Sequence, residues 1–374
     1  MATCDVLIVG GGPAGSTCAA KLQQAGLDVL LLDKSTFPRA KPCAGWITPA
    51  VLATLAIDRE EYCRGRLLQE IRGFRTGLIN GPETVTRYGT VVSYGIRRYE
   101  FDHYLLQRSA VRRGLAEPVT SLVRYDGGWL VNGQITARLL VGAGGHFCPV
   151  ARLLGARIGG EEIIVAQAAE FAMSPDQEGL CRISADTPAL YFCRDLKGYG
   201  WLFRKGHFLN IGLGRSDREH FGNHLRDFCS LLDERGYLPA GLSGRFQGHA
   251  YLLYRRQGGR SCVSDGALLI GDAAGLARPN SGEGILPSIE SALLAAETII
   301  AAKGDYRRDN LLPYAANLTD RFGNGTEMAS SQLVSAISRG IGARLFSNRW
   351  FTRHVVLDRW FLHDSQNTLA LTVS

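Results

Sequence analysis

Two glycine signatures, far apart in the chain, have the residue types and spacing to hold a dinucleotide. Gly10-Gly11-Gly12-Pro13-Ala14-Gly15 follows the apolar run Val6-Leu7-Ile8-Val9 and opens a helix-like segment that reaches Gln24. In that setting Gly10 permits a tight turn, Gly12 lets backbone N–H groups approach a pyrophosphate at the helix N-terminus, and Gly15 lets helix pack closely on strand. The next apolar run ends in Asp33, an acid placed to accept hydrogen bonds from a ribose diol. Lys34 then begins a loop, ending at Gly45, that is expected beside the cofactor. The second signature, Gly271-Asp272-Ala273-Ala274-Gly275, follows the strand-like Ala267-Leu268-Leu269-Ile270 and continues to Gly282-Glu283-Gly284-Ile285. Asp272 supplies an acid for the ribityl chain or pyrophosphate of a flavin, which NAD dehydrogenases do not usually carry. Together the two signatures point to FAD.

Other chemistries find less support. His220 and His224 stand four apart on a helix-like stretch, but Phe221 takes the place of the glutamate in H-E-x-x-H and no third ligand is evident, so no metal is assigned. A G-x-S-x-G elbow is missing, which removes the motif of a serine hydrolase. The net charge of +7 comes from interspersed acids and bases and gives no footprint for nucleic acid. Nine cysteines, odd in number and without a C-x-x-C pair, suit reduced thiols in the cytoplasm. No signal peptide and no membrane-spanning run are expected.

These residues need elements to position them. With 374 residues and 45% hydrophobic content, the chain can bury a large core. The pattern predicts an α/β protein: a Rossmann-like FAD-binding domain interleaved with an antiparallel-sheet substrate domain, and a helical C-terminus. The expected FAD-binding parts are 1–70, 97–158 and 261–303, with a β-rich substrate-binding domain at 71–96 and 159–260 and a C-terminal helical segment at 304–374. Helices are predicted over Thr48–Ala56, Tyr99–Gly114, Asp217–Leu232, Gly284–Ala302 and Asp309–Arg339. Alternating strands fill Ile163–Met173, Ala189–Cys193, Gly200–Phe203, His207–Gly214 and Ala250–Arg255. An inserted sheet bracketed by flavin-binding segments reads as a cover for the cofactor, with substrate between sheet and flavin ring. Within it, Tyr199, Trp201 and Phe203 alternate with Gly200 and Leu202, so a period of two sets all three rings on one strand face. On the residues alone, ordinary sheet core explains such a face.

With those motifs in place, the chain resembles the FAD-dependent oxidoreductases of aromatic-hydroxylase type, and among them the geranylgeranyl reductase family. Arg98-Tyr99-Glu100-Phe101-Asp102 is similar to their Arg-x-x-Phe-Asp element, which implies that Arg98 approaches the FAD phosphates. Lys41-Pro42-Cys43-Ala44-Gly45 resembles the Lys-Pro-Cys-Gly-Gly element beside the flavin ring, implying cofactor contacts from Cys43, Ala44 and Gly45. Tyr199 to Lys205 resembles the Tyr-x-Trp-x-Phe-Pro-Lys strand that lines a lipid cavity. The resemblance thus implies Cys43, Tyr199 and Trp201 at the catalytic centre and Trp201, Phe203 and Lys205 at the substrate. Arg204 and Lys205 read as partners for a head group or as a solvated strand end. Departures fall at Ala44, at Arg204 and at Gly144, where most relatives have an acid.

The implied reaction is hydride transfer from reduced FAD to a carbon–carbon double bond of a geranylgeranyl or polyprenyl chain, on a lipid or a quinone. NADPH or a reduced carrier protein would supply the electrons. The alternative is a monooxygenase that hydroxylates an aromatic or quinone-type substrate. Basic and aromatic residues mix in the C-terminal stretch, with Arg344, Arg349, Arg353 and Arg359 among Leu345, Phe346, Trp350, Phe351, Trp360 and Phe361. They suit peripheral contact with the inner face of an anionic membrane, and equally a helix packed on the body with its arginines exposed.

Overall fold

The apolar run near the N-terminus becomes the strand Ala2–Val9, buried in the middle of a parallel sheet. It pairs in parallel with Val29–Asp33 on one side and Ile135–Gly142 on the other. The full order is Val263–Ser264, Ala267–Leu269, Ile135–Gly142, Ala2–Val9, Val29–Asp33 and Arg112–Leu115, and the hairpin Leu122–Tyr125/Gly128–Val131 attaches to Ile135–Gly142. Continuous Val/Ile/Leu runs are what a parallel sheet covered on both faces requires. The helices Pro13–Gln24 and Ile285–Ala301 pack against each other in this unit. The computed structural model describes residues 2–156, 158, 160–242, 244–255, 259–323, 348–363 and 368–369.

Among those residues the chain forms two compact units. The first holds 2–40, 99–162 and 251–323; the second holds 41–98, 163–250 and 348–363. Residues 41–70 and 97–98, expected in the FAD-binding part, cluster with the second unit, and the stretches of 159–162 and 251–260 that the structure describes cluster with the first.

A seven-stranded sheet dominates that unit, in the order Gln247–Tyr251, Ile164–Ala172, Phe208–Arg215, Gly198–Lys205, Ala189–Phe192, Gly73–Leu78, Glu83–Arg87. Its middle pairs are antiparallel, and the junction of Ala189–Phe192 with Gly73–Leu78 is parallel. Helix Phe221–Glu234 covers one face, burying Phe228, Leu231 and Leu232 in one cluster with Leu202, Ile211 and Leu213. A small sheet of Trp46–Ile47, Ser93–Ile96 and Leu68–Ile71 completes the unit. The α/β class, with one parallel and one mostly antiparallel sheet, agrees with the sequence pattern.

Some element boundaries differ. The helix expected over Tyr99–Gly114 is Arg98–Gln107, and the chain then turns into Arg112–Leu115, which adds an edge strand beside Val29–Asp33. Val111, inside the expected helix range, is buried at the entry to that strand. The helix begun at Arg308 is described to Gly323; the rest of the expected Asp309–Arg339 helix, with Arg344, Leu345 and Phe346, lies outside the described residues. A last helix, Arg349–Phe351, continues in π form over Thr352–Phe361. Among the described residues no helix is long and apolar enough to cross a membrane.

Candidate functional site

In the first unit the two glycine signatures come together. A β-carbon on Gly271 would stand 3.1 Å from Cβ of Ala14, so the second motif abuts the first helical turn after the first. Gly15 is forced by packing, because a β-carbon there would lie 1.8 Å from the Gly10 carbonyl oxygen. Helix Pro13–Gln24 has Gly12 as N-cap and helix Ile285–Ala301 has Gly284, and neither end carries a side-chain cap. Uncapped first-turn N–H groups beside a positive helix end are a fitting receiver for a pyrophosphate. Asp33 accepts from the Gly11 N–H at 2.7 Å and from the Ser35 N–H at 2.8 Å, which fixes the carboxylate at the turn and leaves lone pairs for a diol. Asp272 is half-buried, and the bare Cα of Gly284 gives it room, since a β-carbon there would lie 3.0 Å from its Oδ1. Lys34 is exposed just beyond Asp33, whereas Gly282 and Ile285 bracket Gly284. These residues fit FAD.

Two supporting residues escape the sequence pattern. Arg39 brings its guanidinium to 3.5 Å from where a Gly12 β-carbon would be, held by Asp102 at 3.4 Å and stacked over Phe37. Asp102, the acid of the Arg-x-x-Phe-Asp element, is fully buried, while Arg98 is half-buried at the first residue of its helix. Arg39 thus places a cation at the pyrophosphate receiver. Arg39→Ala is expected to weaken FAD binding about 10-fold or more, the worth of a charge-assisted hydrogen bond, in a fluorescence titration. The difference should shrink as salt is added. Arg260 braces the other motif: it donates to the Ala273 carbonyl at 2.9 Å and to both oxygens of Glu161 at 2.7 Å. Those bonds hold the Glu161 carboxyl below its usual range.

The second unit carries the cysteine loop and the aromatic strand. Tyr199, Trp201 and Phe203 do share a face of Gly198–Lys205, because Gly200 faces the Phe228 ring on the other side. The rings are closely packed. Tyr199 meets Trp201 at 6.1 Å and Phe192 at 5.7 Å between centroids, and Phe361 of the C-terminal segment closes on Tyr199 at 5.5 Å and on Trp46 at 5.8 Å. Trp201 lies over its cross-strand partner Gly212, where a β-carbon would fall 2.2 Å from the indole.

Lys205 sits on the same strand, but only 1% of its side chain is exposed. Its ammonium contacts Glu170 at 2.7 Å and donates to the Ile96 carbonyl at 2.9 Å and the Ala44 carbonyl at 3.1 Å. With three donors and three acceptors it is saturated within the fold and braces the loop. Burial, with the like charge of Arg97 adding to it, pushes the ammonium below the usual lysine range, and Glu170 opposes. For Glu170 burial pushes upward, yet Lys205 and Arg97 prevail and hold it below the carboxylate range. Arg204 is likewise taken, by Glu178 at 3.2 Å.

Cys43 is half-buried, and its carbonyl accepts from Asn210 Nδ2 at 3.0 Å. Lys41 of the same loop reaches His249 Nδ1 at 3.0 Å. Gly45 has φ +65°, and any β-carbon would strike the Ile96 carbonyl at 2.1 Å. Ala44 has no positive φ, so its methyl is tolerated there.

Comparison with known proteins bears on the family and the fold. The NAD(P)-binding Rossmann-like domain family matches residues 8–40. Menaquinone reductase of Mycobacterium tuberculosis is 31% identical over 352 residues, covering 87% of this chain and 82% of the relative. Digeranylgeranylglycerophospholipid reductase 2 of Methanosphaera stadtmanae is 28% identical over 342 residues, covering 84% and 83%. A geranylgeranyl bacteriochlorophyll reductase-like protein from Thermoplasma acidophilum has the same fold, with TM-score 0.78 and 22% identity over 93% of this chain and 91% of that one. Halogenase PltM in complex with phloroglucinol and FAD shares the fold at TM-score 0.70 and 15% identity, covering 93% of this chain and 80% of its own. With a paired glycine cradle suited to FAD and 31% identity to a menaquinone reductase over most of both chains, the chain belongs to the geranylgeranyl reductase and menaquinone reductase family of FAD-dependent oxidoreductases.

Proposed function

We propose that the chain reduces carbon–carbon double bonds in the isoprenoid tail of a quinone or glycerolipid. The observation that carries this reading is the aromatic face of Tyr199, Trp201 and Phe203, in the same unit as the Cys43 loop. When bound and reduced, FAD supplies a hydride to one alkene carbon and ends oxidised, while a proton reaches the other carbon. An isolated alkene offers no lone pair to polarise, so positioning by the protein carries much of the barrier reduction. Rings stacked along one strand hold an apolar chain without asking for a charge, and Cys43 contacts the reacting centre. Both strand cations, Arg204 and Lys205, are paired with acids, which favours an uncharged head group such as a quinone ring.

The reading includes NADPH or a reduced carrier protein as electron donor and a cytoplasmic setting at the inner membrane face. Trp350, 65% exposed between the exposed Arg349 and Arg353 region, supports peripheral contact with an anionic surface. The test is anaerobic: reduce the holoprotein with dithionite, add a panel of prenyl quinones and prenyl lipids, and follow flavin absorbance with product mass. Flavin oxidation with a gain of two hydrogens per bond is the expected result. A flavin that stays reduced until air is admitted, followed by a product that gains oxygen, would replace this reading with the monooxygenase.

A further inference from the structure

Asn210 is 3% exposed on the strand Phe208–Arg215, a polar residue in apolar surroundings. Its amide is engaged at both ends. Oδ1 accepts from the Trp201 indole N–H at 2.9 Å, and Nδ2 donates to the Cys43 carbonyl at 3.0 Å. The indole can reach Asn210 because Gly212, two residues on along the same strand face, has no β-carbon in its way. One residue along the loop, the Ala44 carbonyl is held by Lys205, whose stem runs past Gly95, where a β-carbon would lie 2.9 Å from Lys205 Cγ.

We propose that Asn210 and Lys205 are positioning residues for the Cys43 thiol, and that the Trp201 N–H acts through Asn210 by fixing which way its amide faces. The peptide plane after Cys43 is pinned through its carbonyl, and the next plane is pinned by Lys205. Fixing the first of these sets ψ of Cys43 and leaves the thiol little freedom beyond rotation about χ1. The indole donates and cannot accept, so it holds Oδ1 on its own side and turns the NH₂ toward the loop. One strand therefore presents the aromatic face and, through its neighbour, sets the thiol that serves the same substrate. This assignment rests on the reading of Cys43 as the group at the reacting centre.

The experiment compares Asn210→Leu, Trp201→Phe and the double variant as holoenzymes. It measures kcat and KM for a prenyl quinone and, separately, iodoacetamide labelling of Cys43 resolved by peptide mass, with the exposed Cys63 as internal standard. Asn210→Leu is expected to lower kcat about tenfold at nearly constant KM, because a thiol misplaced by a fraction of an ångström loses reactive geometry before it loses binding. Labelling of Cys43 relative to Cys63 should change about fivefold or more, the loop being less restrained. Trp201→Phe should move labelling in the same direction, and in the labelling readout the double variant should be no worse than Asn210→Leu, since the indole reaches the loop through Asn210. Unchanged Cys43 labelling in every variant, with only the thermal midpoint shifted, would overturn the proposal, as would additive labelling effects. If Asn210→Leu does not fold, Trp201→Phe labelling decides alone. If the wild type reduces no prenyl substrate, the proposed function fails, while labelling still decides whether the brace sets the thiol.

Discussion

Gly15→Ala is expected to purify with little or no FAD. A β-carbon at this position would overlap the Gly10 carbonyl oxygen at 1.8 Å and press on Ala143 at 3.2 Å. Backbone cannot swing aside as a flexible side chain can, so helix Pro13–Gln24 must shift off the strand that positions its N-terminus. Overpacking of this kind costs about 1–3 kcal/mol in the fold. The cofactor loses more, because first-turn N–H groups aimed at a pyrophosphate work only at hydrogen-bond distance. A loss of FAD affinity on the order of 100-fold is expected, read as flavin absorbance relative to protein after purification and as Kd on reconstitution. Full occupancy in the variant would mean that the helix end does not hold the pyrophosphate.

Lys205→Met should destabilise the second unit strongly. Methionine keeps the stem's volume and removes the charge, leaving the Ala44 and Ile96 carbonyls without their donor and Glu170 with Arg97 at 3.0 Å as its remaining ion pair. Deleting one member of a buried pair costs about 3–5 kcal/mol, and the surviving Arg97 contact puts the expectation near the lower figure. The check is a chemical denaturation midpoint that falls without a change in slope. There is also a pH signature. Glu170 has its pKa lowered in the fold, so the stability it contributes is present above the ordinary carboxylate range and is lost as pH falls through the lowered value. With Lys205 gone that acid-side loss should flatten. A variant as stable as the wild type, with the same acid limb, would show that the pair adds nothing net.

What could be read from the sequence was local. The turn Gly10 to Gly15 and the second motif at Gly271 are short local patterns, Asp33 is the acid at the end of the next strand, and period two was enough to put Tyr199, Trp201 and Phe203 on one face. What could not be read depends on partners far away in the chain. Arg39 is one basic residue among many until Asp102 and Gly12 are folded around it. Lys205 looks like a strand end awaiting an anion, and only the fold brings Glu170, Ala44 and Ile96 to it. Asn210 did leave a trace, a carboxamide inside Phe208-Leu209-Asn210-Ile211-Gly212-Leu213, since a buried amide must find partners. The trace does not say that the partners are an indole and a cysteine carbonyl. Phe361 gave no sign that it would close on Tyr199 and Trp46, because ring-to-ring packing has no sequence period.

The indole of Trp201 resting on the bare backbone of Gly212 ties two positions into one unit of sequence change. Neither can be enlarged or moved alone: a methyl at 212 displaces the ring, and a smaller ring at 201 leaves an empty trough above 212. A redesign that wants a different cavity along this strand must exchange both together, a larger residue at 212 in return for a smaller one at 201. Libraries that vary the aromatic strand and leave its neighbour untouched will recover mostly the starting pair.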